Sequence, residues 1–131
     1  MHAGSGRAPV YLYDFTLEFP FRHNKIAWHC SDIPYFFHNI DRVEICGIPG
    51  VSDVLQEQIF GAFMAFVRSG DPNCGKLPHW PPVTVQQEPT MIFDRECEVR
   101  YNFDDALYAL IDSVLPPFSM AQASEDQDIQ H

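Results

Sequence analysis

From Val51 onward the apolar residues recur at steps of three and four: Val51, Val54, Leu55, Ile59, Ala62, Phe63, Phe66 and Val67. That spacing gathers them on one face of a helix. Asp53, with Gln56 three residues on, reads as a capping box at its start. Arg68 in the last turn, Gly70 and then Asp71-Pro72 read as its end. The Phe-rich stripe of residues 59–67 is expected to be core. Residues 10–17 follow a different pattern, rich in β-branched and aromatic side chains and bounded by Pro9 and Pro20. They read as a strand. Val10 to Tyr13 is continuously apolar, which fits a strand covered on both faces. Residues 32–39 suit a short helix, with Asp32 at the start, Pro34 in the first turn and Asn39 at the end.

Thr90 to Phe93 and Glu98 to Phe103 read as two short strands around the polar turn Asp94-Arg95-Glu96. Asp104-Asp105 opens a last helix with Ala106, Leu107, Leu110, Ile111, Val114 and Leu115 apolar, ended by Pro116-Pro117. Residues 20–31 and 40–50 read as connections. Residues 71–89, interrupted by five prolines, are a long loop. A loop of that length is pinned to something, and Trp80 is the expected anchor. Residues 119–131 are polar and read as a frayed tail. The order is strand, loop, short helix, long helix, long loop, hairpin, helix. Only residues 10–17 read as a strand for a parallel sheet. A strand covered on both faces needs neighbours that this chain barely supplies, a first sign of a piece of something larger.

Composition narrows the classes. The 131 residues are 46% apolar, with 11 Phe and 5 Tyr, enough for one core. Eight Lys and Arg stand against 18 Asp and Glu, so the net charge is 8 − 18 = −10. A basic footprint for nucleic acid is missing, and an anionic membrane would repel the chain. No apolar run approaches the length of a membrane span, and residues 1–9 hold no apolar signal-peptide core. Cys30, Cys46, Cys74 and Cys97 include no C-x-x-C pair; free thiols or incidental pairing are expected, with two disulfides as the alternative.

Residues 28–37, Trp-His-Cys-Ser-Asp-Ile-Pro-Tyr-Phe-Phe, resemble the catalytic-histidine segment of the type-B carboxylesterase and cholinesterase family. Phe66 to Asn73 resembles the family's helix ending in a "tGDPN" turn. Leu77 to Pro82 resembles its "W-P-x-Y" loop, and Thr90 to Asp94 the short strand after it. The motifs come in the family's order over residues 9–115, and are most similar to the para-nitrobenzyl-esterase-like branch. The resemblance implies an α/β class, as the C-terminal part of an α/β-hydrolase fold. Residues 10–17 would be the last parallel strand, followed by the histidine loop, the long helix, an edge β-hairpin and a terminal helix. Residues 1–8 would be a flexible lead-in, 9–117 the C-terminal part of the esterase domain, and 118–131 a polar tail. A soluble protein, cytoplasmic or secreted, is compatible with it, any signal peptide lying upstream.

Ester hydrolysis of this kind needs a serine nucleophile, a histidine to move its proton and a carboxylate to orient the histidine. The serine sits in a G-x-S-x-G elbow, and no such pentapeptide occurs here. The Gly-rich oxyanion segment is missing too. The family's chain order puts serine and acid upstream of the histidine. His29 is therefore the catalytic residue the resemblance assigns, as general base and then general acid. Asp32 is a candidate to support the His29 loop, or simply an acid at a helix start. Trp28, Tyr35 and Phe36 are candidates for the substrate pocket, with core packing as the alternative. His23, His29 and Cys30 match no metal-ligand spacing, and no metal or cofactor is implied. The expected partners are the missing N-terminal catalytic portion, a small carboxylic ester and, through an exposed strand edge, another copy. The alternative is a non-catalytic truncated relative that associates with itself or with a partner.

Overall fold

A computed structural model describes residues 8–20 and 26–115. Three strands form one sheet in the order β1 (Leu12–Phe15), β2 (Pro89–Phe93), β3 (Glu98–Tyr101). β2 runs antiparallel to β3, as the hairpin pattern predicts, with Thr90 opposite Arg100. It also runs parallel to β1, from Leu12 opposite Thr90 to Phe15 opposite Phe93. The chain thus supplies a parallel neighbour that the sequence reading withheld from β1. The long loop 71–89 makes this possible by returning the chain beside the first strand. Val83 N–H donates to the Val10 carbonyl at 2.8 Å ahead of the paired residues.

The expectation that the first strand is covered on both faces needs correction. Leu12 is 37% and Tyr13 44% exposed. β2 is the strand buried at every position. It has a strand on each side, whereas β1 has one on its β2 side alone among the described residues.

α1 (Ile33–Phe36) is shorter than the pattern over 32–39 suggests. His38 takes the left-handed conformation, φ +52°, and breaks the helix before Asn39. Two 3₁₀ turns, Ile40–Arg42 and Glu44–Cys46, lead to α2 (Ser52–Ser69). Gly70, at φ +75°, closes α2, its N–H reaching the Phe66 carbonyl at 2.7 Å. The capping box does not form. Gln56 Oε1 instead accepts the Ile40 N–H at 2.9 Å, so the residue ties α2 to the preceding turn. Leu55, Ile59 and Ala62 are buried against the sheet side of the core, but Val54, Phe66 and Val67 are exposed. The Phe-rich stripe is therefore only partly core, because no described element covers its outer half.

Trp80 anchors the long loop as expected. It is 6% exposed and packs edge-on against Tyr11 and Phe93. The Asn73 side chain holds the Trp80 backbone from both sides, accepting its N–H and donating to its carbonyl, each at 2.8 Å. α3 (Asp105–Val114) follows β3 and buries no residue. The core draws on β1, α1, α2 and β2 together, around Phe15, Leu17, Phe19, Tyr35, Ile59, Met91 and Phe93. The cysteines are unpaired. His23, the lead-in over residues 1–7 and the acidic tail lie outside the described residues.

Candidate functional site

His29 stands in a tight turn. The Ser31 N–H donates to the Trp28 carbonyl at 3.0 Å, which makes His29 and Cys30 the two central residues. Cys30 has φ +66°. A positive φ at the second central position is the type II arrangement, in which glycine is favoured. The turn projects His29 into an exposed position.

Both ends of the turn are fastened. On one side the Trp28 ring lies 4.6 Å, centroid to centroid, from Phe19, which is fully buried. On the other, Ile33 N–H donates to the Cys30 carbonyl at 3.3 Å. Asp32, at the start of α1, makes no side-chain cap for the helix. Its Oδ2 accepts the Tyr13 hydroxyl at 2.9 Å, linking the turn to β1. Partial burial, and then the hydrogen bond and the charge of Asp32, push the Tyr13 phenol up to about 12. It stays protonated, and so stays a donor, across the physiological range. Residue spacing offers no sign of this pair, whose members come from separate elements.

The three pocket candidates separate. Tyr35 is fully buried. Its hydroxyl donates to the Cys46 carbonyl at 2.8 Å and lies 2.8 Å from Ser52 Oγ. It bolts α1 to the start of α2 and lines no open surface. Trp28 is half-buried against Phe19. Phe36 lines a largely apolar groove of about 630 Å³ with Tyr13, Asp32, Phe63 and Trp80. His29 and Trp28 are not among the lining residues of that groove. Buried Trp80 Nε1 has no hydrogen-bond partner among the described residues. Nor, among them, do three or more His, Cys, Asp or Glu side chains gather as a metal site.

The structure thus presents a histidine on a braced turn. The serine elbow is absent from the sequence. The profile of the carboxylesterase family matches residues 1–110. Phenmedipham hydrolase of Pseudarthrobacter oxydans is 36% identical over 81 residues, covering 57% of this chain and 16% of its own. Para-nitrobenzyl esterase of Bacillus subtilis (strain 168) is 28% identical over 102 residues, covering 74% and 20%. Among solved structures, an esterase from Clostridium hathewayi superposes with a TM-score of 0.79 at 51% identity, over 86% of this chain and 22% of that one. That esterase is described as able to hydrolyse aliphatic aromatic polyesters. The fold is that of α/β-hydrolase esterases, and the chain spans about a fifth of the length of these relatives. No described helix is long and apolar enough to cross a membrane.

Proposed function

The chain belongs to the carboxylesterase family, and from that premise we propose that it is the C-terminal part of a serine carboxylesterase, to which it contributes the catalytic histidine. His29 takes the proton of an upstream serine as that serine attacks the ester carbonyl. It then returns the proton to the leaving alcohol. An upstream carboxylate orients the imidazole, and upstream backbone N–H groups hold the oxyanion. Asp32 braces the turn and is not the acid of the triad. Residues 9–117 form the contributed part.

The observation that carries this reading is His29, exposed at the head of a turn within the family's histidine motif, in a chain with no G-x-S-x-G. Two features support a larger whole. The groove beside β1 is apolar, and among the described residues Trp80 Nε1 has no acceptor, which further chain would supply. The isolated 131-residue chain is therefore expected not to turn over para-nitrophenyl esters above the level of free imidazole. Robust turnover by the isolated chain that His29→Ala removes would contradict this.

A second reading has its own observation. Leu12 and Tyr13 are exposed on a strand whose outer edge is open among the described residues, and such edges pair with other strands. A truncated, non-catalytic relative would use it to associate with itself. Sedimentation of the isolated chain then shows mass increasing with concentration, and a monomer at every concentration counts against it.

A further inference from the structure

Tyr13 lies on β1, opposite Met91 of β2. Its ring is held by two others, Phe36 at 5.1 Å and Phe93 at 5.5 Å between centroids. Those contacts fix the direction of the hydroxyl, which reaches Asp32 across 19 residues of sequence. Among the described residues the Asp32 carboxylate has no other hydrogen bond. Its backbone is equally constrained, since the Asp32 carbonyl accepts the Tyr35 N–H at 3.0 Å and the Phe36 N–H at 3.3 Å. From Asp32 back to His29 the chain is three residues long. Two backbone bonds tighten it, Ile33 N–H to Cys30 and Ser31 N–H to Trp28. The turn contains Cys30 where glycine would rest more easily, so local preference alone holds it weakly.

We propose that Tyr13 is a positioning residue for ester hydrolysis: its hydroxyl, through Asp32, holds the turn that aims His29. This rests on His29 being the general base. Among the described contacts Tyr13 makes none with the His29 imidazole; its partners are Asp32, Phe36 and Phe93. It removes freedom from the turn, and small errors in the aim of a general base lower turnover steeply.

The test uses the complete esterase that carries this chain, with para-nitrophenyl acetate as substrate. Tyr13→Phe keeps the ring contacts and removes the hydroxyl. It lowers kcat roughly tenfold and leaves KM within about twofold, the mark of an interaction felt after substrate binding. Asp32→Ala has a similar effect, and adding Tyr13→Phe to it changes nothing further. Asp32→Asn still accepts the phenolic proton and restores most of kcat, which a general loss of folding would not allow. The proposal is overturned if Tyr13→Phe keeps kcat within about twofold of wild type. It is also overturned if the Tyr13 and Asp32 effects multiply, or if KM alone changes. His29→Ala in the same assay separates the two ideas. If turnover is lost there but Tyr13→Phe is normal, the Tyr13 proposal alone fails. If His29→Ala keeps full turnover, the reading of His29 fails and the proposal with it.

Discussion

Cys30 occupies left-handed backbone beside the histidine, at φ +66°. A side chain there costs about 1–2 kcal/mol relative to the right-handed region. Glycine relieves that cost but adds freedom to the unfolded chain. Cys30→Gly is therefore expected to leave stability unchanged or raise it by up to about 1 kcal/mol in urea unfolding. A loss of stability would show that the turn does not require left-handed backbone there. His38 is the second residue with a specific prediction. Its hydrogen bond to Glu57, helped by the charges of Glu57 and Asp41, holds its pKa above the ordinary 6.5. Hydrogen bonds from His38 and Lys76 hold Glu57 below its ordinary 4.5. The sign follows from both directions. The His38 contribution is complete below pH 6.5 and fades as pH rises through the raised value. The Glu57 contribution is complete above pH 4.5 and fades as pH falls through the lowered one. The clasp is thus firmest between those values. Titration of the His38 ring by NMR should give a midpoint above 6.5 that Glu57→Gln brings back down, and an unmoved midpoint would contradict the pairing.

Among the elements, α2 was the most legible, because three- and four-residue spacing needs no knowledge of partners. Gly70 and Arg68 fall where the pattern puts them. What the pattern could not reveal is which part of an apolar stripe faces a neighbour. Phe66 and Val67 extend the stripe yet are exposed. Gln56 has the spacing of a cap but bonds to Ile40, a tertiary choice invisible in local sequence. The parallel pairing of β2 with β1 was missed for the same reason, since register between distant strands is decided by the loop that joins them. That loop depends on a small clamp. Asn73→Ala removes both bonds to the Trp80 backbone. It should cost about 1–2 kcal/mol and loosen the Trp80 ring, visible as a red shift in its fluorescence. An unchanged stability and spectrum would show that packing alone holds the loop. At the candidate site the motif marked His29 and Asp32, whereas Tyr13 became visible only once β1 and the turn were seen together.

On the scale of the whole molecule, the faces left bare are as informative as the core. Leu107, Leu110, Ile111 and Val114 line α3 at helical spacing, and all are exposed. Tyr13 and Phe37 are exposed and line the groove beside β1. These side chains are uncovered among the described residues, and apolar surface left exposed in this way marks contact with other protein. Under the proposed function, that other protein is the rest of an esterase; the chain belongs to the carboxylesterase family and spans about a fifth of its relatives' length. The net charge of −10 weakens a self-associated alternative, since two copies repel at long range. The proposed function turns on one residue, His29. The most direct test is the kcat of the complete esterase on para-nitrophenyl acetate with His29 replaced by alanine. Removal of a triad histidine is predicted to lower kcat by a factor on the order of 10⁴ or more, with the protein still folded. A folded His29→Ala enzyme whose kcat stays within about tenfold of wild type would contradict the account.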